Sequence, residues 1–268
     1  MMSLLGRLPV LVTCHPPASN VALACCASPA IVELFSTTSG SLPAAFAVVD
    51  ADGFRDVELC AAAVVERLGL GLPVAVPACE PLFDKLAANG VWQTPTMGFF
   101  QSMPDVFSGK PLPHVEYASD SLLAATERNV QHSKLTEEAL SALRQLGKAS
   151  LTAIHDLKSH GNRFLAGCDA LVPGFCLHDE LEWLTKAGFS PLEALQTATM
   201  NPAQFLWREA SQGTIAAGKR ADLVLLEADP LADIHNTRQI AAVVVRGKLL
   251  RKPELERMSS AHRHAGAL

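Results

Sequence analysis

The sequence predicts an α/β fold, and three observations lead to that prediction. The composition is 49% hydrophobic and 18% charged with only 6% aromatic residues, which favours a helix-rich protein over an all-β sandwich. An apolar run at residues 163–168 ends at Asp169, as a buried strand that delivers one carboxylate would. The sequence Ser190-Pro-Leu-Glu193 is a helix-starting capping box with proline at the first helical position.

Elements ahead of Asp169 are predicted from periodicity and from residues that break helices and strands. The run 8–14 predicts a strand that ends at His15 before two prolines, and 31–35 predicts a second short strand. Further along the chain we expect a loop at 36–56, helices at 57–69 and 80–90, a strand at 91–97, a proline-rich loop at 102–116, and helices at 121–132 and 136–159.

Elements after Asp169 include a helix that Gly188 ends, the capped helix from Pro191, and a short helix through Trp207. Residues 223–226 predict a strand, and 240–250 predict a strand with a glycine bend. The tail from Pro253 is charged or small, so we expect it to be frayed. The composition change near 207 predicts two domains, 1–206 and 207–268.

Four ordered motifs between residues 165 and 250 resemble the metal-dependent amidohydrolase superfamily, in particular its imidazolonepropionase-like and prolidase-like branch. They are Leu-Ala-Gly-Cys-Asp-Ala at 165–170, Val-Pro-Gly-Phe-Cys-Leu-His-Asp-Glu-Leu-Glu at 172–182, the segment 187–203, and 213–226 with Asp-Pro-Leu at 229–231. Upstream, 8–16, 30–35 and 87–96 look like that family's fifth-, sixth- and seventh-strand regions.

The resemblance implies a (β/α)₈ TIM barrel with a small β-sandwich segment, and one or two divalent metals, usually zinc. Asp169 matches the eighth-strand aspartate, which in the family binds metal and takes the proton of the attacking water. His15 matches the fifth-strand metal histidine, whereas Glu33 and Leu34 stand where the sixth-strand histidine would be. The resemblance therefore implies Asp169 and His15 as metal ligands and Asp169 as the catalytic residue.

The barrel is predicted to be partial, with the later strands up to strand eight. A full barrel takes about 250 residues, or about 31 for each strand and helix, so the 169 residues up to Asp169 hold about five such units. The only His-x-His, at 262–264, lies in the tail, where disorder is the expected state. We expect an N-terminally truncated chain or a pseudo-enzyme, and the sequence does not choose between them.

Each site residue also has a structural interpretation. Asp169 could be an inherited carboxylate bonded to nearby backbone, and His15 a loop histidine beside a Pro-Pro turn. Glu180 suits a helix N-terminus, where the macrodipole favours a carboxylate. Cys168 is interpreted as a packed thiol, and all seven cysteines as reduced, because the count is odd and no C-x-x-C occurs.

Charge and hydropathy restrict the partners. A net charge of −5 and a pI near 6.0 argue against nucleic acid or anionic membrane. No apolar run reaches the roughly 20 residues that span a bilayer. We expect a cytoplasmic protein that acts on a small molecule.

The predicted function is metal-dependent hydrolysis of a C–N bond, either a non-ordinary-peptide bond or an Xaa-Pro-like bond, by metal-activated water. Zinc is the expected metal, although the truncated chain could lack it. The alternative is a catalytically inactive barrel remnant with a structural or interaction role, which packs or forms homo-oligomers through an exposed edge.

Overall fold

The structure is a computed structural model that describes residues 77–110, 113–118, 123, 124, 126, 128, 135–168 and 174–265. These residues divide between two compact units. The first unit contains 77–95 and 145–165, and the second contains the remaining described residues. The strands predicted at 8–14 and 31–35 and the helix predicted at 57–69 lie outside the described residues.

The first unit contains a short parallel β pair and the helix that precedes it. Helix α1, Glu80–Ala88, buries Leu82, Phe83 and Leu86 on one face, as its spacing predicts. Strand β1, Trp92–Gln93, pairs in parallel with β2, Arg163–Phe164, and the Leu165 N–H extends the pairing by donating to the Gln93 carbonyl at 2.8 Å.

Helix α2, Met97–Phe107, and helix α3, Glu137–Ser159, differ in how well the sequence predicts them. The prediction for α3 is confirmed. The predicted strand at 91–97 is much shorter, and the loop predicted at 102–116 is wrong over its first six residues, because α2 continues through Pro104 to Phe107. Helix α3 belongs to the first unit from residue 145 onward.

The remaining helices of the second unit follow the predicted order. Helix α4 is Phe175–Lys186, α5 is Pro191–Ala198 and α6 is Met200–Phe205. The capping box is present in full: the Ser190 hydroxyl accepts the Glu193 N–H, and the Glu193 carboxylate accepts the Ser190 N–H at 2.7 Å. Two reciprocal bonds thus satisfy donors that the start of α5 would otherwise leave unpaired.

An antiparallel sheet of three strands follows in the second unit. It contains β3, Leu223–Leu226, β4, Ile240–Val245, and β5, Lys248–Arg251. The glycine bend predicted near 247 is a hairpin turn in which Arg246 and Gly247 have φ values of 50° and 81°. Positive φ at both positions suits the twist of a two-residue hairpin, so two strands form where one bent strand was predicted.

Helix α7, Lys252–Ala265, follows β5 directly. The prediction of a frayed tail from Pro253 is therefore wrong, and residues 262–264 belong to this helix. The described residues confirm the α/β class through their mixture of helices, parallel strands and antiparallel strands. None of the helices in the described part of the chain is long and apolar enough to cross a membrane.

Candidate functional site

The residues predicted to bind metal lie outside the described part of the chain. This holds for Asp169 and His15, and also for Glu33. The backbone that leads into Asp169 is described as far as Cys168, and the helix that follows it is described from Gly174 onward. The site can therefore be built from the structure around residues 166–168 and α4.

Helix α5 holds the first residue of this segment. The Ala166 N–H donates to the carbonyl of Thr197 at 2.9 Å. Thr197 is 1% exposed, and its hydroxyl donates to the Ala194 carbonyl at 2.6 Å. A buried and fully bonded threonine is a rigid partner, so the position of Ala166 is well determined.

Glu180 of α4 lies at the centre of the region. Its side chain has no solvent exposure, and its Oε2 accepts the Gly98 N–H at 3.1 Å. The backbone N–H groups of Thr96, Met97 and Gly167 also face the carboxylate closely enough to favour its charged form. One buried acid thus accepts a hydrogen bond from the first turn of α2, and N–H groups from two segments of the chain lower its pKa.

The start of α2 is shaped to face an anion. Thr96 has a φ of 49° and a ψ of 46°, a left-handed conformation that is costly for a β-branched residue. A left-handed residue followed by helical ones turns successive N–H groups toward one point, and the N-terminus of a helix carries positive partial charge. Thr96 provides no side-chain cap to α2, and the Glu180 carboxylate occupies that role.

Burial and hydrogen bonding act in opposite directions on Glu180. Burial is the larger effect and raises the pKa of Glu180 from 4.5 to about 7, although the four N–H groups favour the carboxylate. The Oε1 atom has no hydrogen-bond partner among the described residues. The expectation that Glu180 suits a helix N-terminus is therefore wrong, since it lies in the second turn of α4 and is buried.

A disulfide joins Cys168 to Cys176 in the first turn of α4. The expectation that these two residues are reduced thiols is wrong in this structure. The Cα atoms of the two cysteines are 5.6 Å apart, a separation that a disulfide spans without backbone movement. Sequence spacing alone gave no sign of this pairing, because the two cysteines are eight residues apart without a standard motif.

Aromatic rings pack against the start of α4. The His114 ring stacks on Phe175 with centroids 3.8 Å apart and planes 11° apart, and Tyr117 lies 5.2 Å from the same ring. The sequence gave no context for His114. It is held in a left-handed conformation, with a φ of 62°, directly before the short helix Val115–Tyr117.

The exposed side of α4 contacts the short helix Ile234–Arg238. His178 Nδ1 lies 2.9 Å from the Thr237 hydroxyl, and Arg238 pairs with Asp179. Burial lowers the pKa of His178, the Arg238 guanidinium lowers it further, and Asp179 opposes both. His178 is therefore a neutral packing residue at ordinary pH rather than a charged group.

A comparison with known protein families shows which family this chain belongs to. The model of the amidohydrolase family matches residues 55–250. This chain belongs to the amidohydrolase family. The match includes residues 165–170 and all of the elements that surround Glu180. A comparison with curated proteins finds no match.

Three solved structures of hydrolases resemble this amidohydrolase. Bottromycin amidohydrolase is 21% identical with a TM-score of 0.54, over 72% of this chain and 46% of that one. An Xaa-Pro dipeptidase with bound methionine in its active site is 18% identical (TM-score 0.48, 73% and 48%). An ochratoxinase from A. niger is 23% identical (TM-score 0.47, 65% and 35%). The chain spans about half the length of these structures or less.

The described residues of this amidohydrolase do not by themselves form a metal site. Among them, no group of three or more histidine, cysteine, aspartate or glutamate residues is arranged to hold a cation. Glu180 has an unpartnered carboxylate oxygen, but the groups that face it are backbone N–H donors, which a cation does not bind. The described donor set therefore fits a hydrogen-bonded acid and not a metal ligand.

Glu180 is the functional candidate that sequence reasoning missed, and a signal for it was available. It lies three residues after Leu177 and four before Leu184, and this helical spacing places all three residues on one face of α4. A carboxylate on the buried face of a helix needs a specific partner. That pattern predicts burial, whereas the sequence-based prediction placed Glu180 at the N-terminus of its helix.

Proposed function

We propose that this amidohydrolase hydrolyses a C–N bond other than an ordinary peptide bond, in the manner of the prolidase-like branch. The family match over residues 55–250 is the observation that carries the proposal, because it covers the strand motif at 165–170 and the helices that frame it. The names of the similar structures, an Xaa-Pro dipeptidase and an amidohydrolase, are consistent with this type of bond.

The proposed fold is a TIM barrel of which this chain supplies the later strands, with a β-sandwich segment at its end. The parallel pair β1–β2 supports the barrel part, since parallel strands separated by helices are its repeating unit. The three-stranded antiparallel sheet supports the sandwich part. The proposed domains remain 1–206 and 207–268.

The proposed metal ligands are Asp169 and His15, and zinc is the proposed metal. Carboxylate oxygen and imidazole nitrogen are both donors that zinc accepts. A bound divalent cation would supply a water that ionises near neutral pH. Asp169 is also the proposed general base, because it follows the strand Arg163–Phe164 at the end where barrel enzymes place their catalytic groups.

The proposed partner is a small-molecule substrate in the cytoplasm, without nucleic acid or membrane. The net charge of −5 supports this choice, because a surface with excess negative charge repels phosphate groups. Homo-oligomerisation is proposed as well, and the sheet β3–β5 is the surface that would support it.

A second candidate function is a catalytically inactive remnant with a structural or interaction role. The exposed apolar residues of the sheet favour it: Val224 and Leu225 are 57% and 63% exposed, and Val245 and Leu249 are 47% and 44% exposed. Because neighbouring strand residues point to opposite faces, Val224 and Leu225 expose apolar surface on both sides of the sheet. Such surface is typical of an interface.

The two candidates are separated by metal content, turnover and oligomeric state in one purified preparation. The hydrolase proposal expects zinc near one equivalent by elemental analysis and turnover of a panel of Xaa-Pro and N-acyl amino acid substrates. Asp169→Asn should abolish turnover, whereas the matched control Asp105→Asn, in an exposed pair with Lys110, should not.

Less than about a tenth of an equivalent of zinc, with no turnover after zinc addition, would refute the hydrolase proposal. A stable oligomer in light scattering, combined with that result, would support the inactive remnant. A monomer without metal or turnover would refute both candidates.

A further inference from the structure

The disulfide between Cys168 and Cys176 joins two residues in unlike surroundings. Cys168 is exposed to solvent, whereas Cys176 is only 5% exposed. Their Cα atoms lie 5.6 Å apart, so the two sulfurs can bond or separate without a change in the backbone. A molecule that approaches from solvent therefore meets the Cys168 side of the bridge first.

The start of α2 packs over the turn that contains Cys176. A Cβ atom placed on Gly98 would lie 3.8 Å from the Cys176 carbonyl oxygen and 3.7 Å from the Cβ atom of Asp179, which is ordinary van der Waals contact. Cys176 also lies on the face of α4 that buries Leu184. The burial of Cys176 is thus part of the packing between two helices, which an external molecule would have to separate before it reached this residue.

The first turn of α4 favours an anion. Cys176 is the second residue of this 12-residue helix, and Gly174, which precedes the helix, provides no side-chain cap. The first turn contains no acidic residue that would compete for its N–H groups. The start of a helix carries partial positive charge and lowers the cost of a cysteine thiolate. This effect opposes the loss of hydration that burial imposes on a thiolate at Cys176.

These surroundings match the two requirements of thiol–disulfide exchange, which are an accessible sulfur to attack and a stabilised thiolate to leave. An external thiolate that attacks the Cys168 sulfur forms a mixed disulfide there, and the electrons of the broken S–S bond leave on Cys176. A second external thiolate then attacks the external sulfur of the mixed disulfide and releases Cys168 as a thiolate. Two external thiols are thereby oxidised to one disulfide, and the protein bridge takes up the two electrons.

We propose that Cys168 and Cys176 form a reversible thiol-exchange site for a small thiol of the glutathione type. Cys168 is the residue that forms the mixed disulfide, and Cys176 is the residue that resolves it when the bridge closes again. Exchange needs neither a metal nor a hydrolysable substrate, so this inference is independent of the proposed hydrolysis. It differs from a purely structural bridge, which resists reduction by glutathione.

The first test compares Cys176→Ser with Cys168→Ser in the full chain, each reduced and then given oxidised glutathione. Peptide mapping by mass spectrometry locates the adducts and follows their formation over time. Cys168 in the Cys176→Ser variant should form its adduct at least about tenfold faster than Cys176 in the Cys168→Ser variant, because the rate of exchange depends on access. The two variants are matched, since each loses the bridge and keeps one of its cysteines.

The second test follows the complete cycle in wild-type protein. Reduced protein that is given oxidised glutathione should pass through an adduct on Cys168, which disappears as the bridge forms. Cys176→Ser lacks the resolving thiol, so its adduct on Cys168 should persist. Reduced glutathione at millimolar concentration should then open the bridge of folded wild-type protein, and the same reaction in urea provides the reference for full access.

Three results would overturn the inference. An adduct that forms first on Cys176 would contradict the assignment of the two roles. A bridge that reduced glutathione opens only in urea would be a structural disulfide, and a reduced pair that oxidised glutathione does not close would not be a reversible site. If either serine variant does not fold, acid quenching of the wild-type reaction and mapping of its transient adduct decide between the same outcomes.

Discussion

The Oε2 atom of Glu180 accepts the Gly98 N–H at 3.1 Å, so a side chain of α4 caps the first turn of α2. Most helix caps are supplied by the residue directly before the helix. Here that residue is Thr96, which makes no side-chain cap and adopts a left-handed conformation instead. The cap is therefore a tertiary contact, and α2 and α4 depend on each other.

The first prediction concerns stability as a function of pH. Folding raises the pKa of Glu180 from 4.5 to about 7, so the folded chain keeps a proton that the unfolded chain has released between these pH values. The contribution of Glu180 to the free energy of unfolding must then fall as pH rises from 4.5 to 7, by about 3 kcal/mol at about 1.4 kcal/mol for each pKa unit. Above pH 7 it should stay constant.

The measurement is urea unfolding of wild type and Glu180→Gln at several pH values. Gln does not titrate, so the difference between the two proteins should move in favour of the variant as pH rises toward 7. Glu209→Gln removes an exposed acid and should follow wild type at every pH. A difference between wild type and Glu180→Gln that does not vary between pH 4.5 and 7 would contradict the prediction.

The second prediction concerns the disulfide. Cys168 and Cys176 close a short loop with a sequence separation of eight, and closing such a loop stabilises a fold by about 2.5 kcal/mol through the unfolded chain. The double variant Cys168→Ser/Cys176→Ser should therefore have a lower Tm than oxidised wild type, as measured by calorimetry. Maleimide labelling of these two residues should occur after reduction and not before it. Labelling of Cys168 in protein that has not been reduced would refute the pairing.

The third prediction compares two leucines of neighbouring helices. Leu184 of α4 has no exposure, whereas Leu192 of α5 is 52% exposed. Leu184→Ala leaves a cavity in the core and should lower the free energy of unfolding by about 2–5 kcal/mol. Leu192→Ala removes the same atoms from a solvated site and should cost less than about 1 kcal/mol. Equal losses in urea unfolding would show that α4 is not packed as described.

The fourth prediction concerns His235. The Asp233 carboxylate lies 2.6 Å from its Nδ1 and the Glu182 carboxylate 3.3 Å from its Nε2. The hydrogen bond that the His235 ring donates to Asp233 is the main cause that raises the pKa of His235 above 6.5. The stabilisation from these pairs is present below pH 6.5 and is lost as pH rises through the elevated pKa.

An NMR titration of the His235 ring checks this prediction. Asp233→Asn should bring the pKa of His235 back toward 6.5, since it removes the closer carboxylate. Asp229→Asn is the control, because Asp229 bonds the Leu231 N–H and does not face the ring. A pKa of His235 that is the same in Asp233→Asn and wild type would mean that the pair does not form in solution.

The elements that the sequence predicted well are those whose signals are local. Helix α5 has its capping residues within four positions, and α1 shows its buried face as a regular spacing of apolar residues. Both signals consist of residues within one or two turns of the helix. The turn at Arg246-Gly247 was predicted in part for the same reason, because Gly247 indicated a bend. A hairpin was not predicted, because such turns usually have Asn or Asp before the glycine and here the residue is arginine.

The elements that the sequence missed depend on distant residues. Helix α2 contains Pro104 and lacks a local cap, so its residues predict a loop until Glu180 is placed at its start. The disulfide likewise depends on the folded chain, because only the folded backbone brings Cys168 next to Cys176 in the first turn of α4. The apolar run at 163–168 pointed to Asp169, whereas the burial of Glu180 depends on how α4 packs in the folded chain.

The disulfide between Cys168 and Cys176 has a practical consequence for the segment that it encloses. A protease that cuts the chain anywhere from residue 169 to residue 175 would not release two separate pieces, because the sulfur bridge spans the cut. Nicked protein would migrate as one species under non-reducing electrophoresis and as two fragments after reduction. The peptide bonds around Asp169 can therefore be broken while the two halves of the chain remain covalently joined.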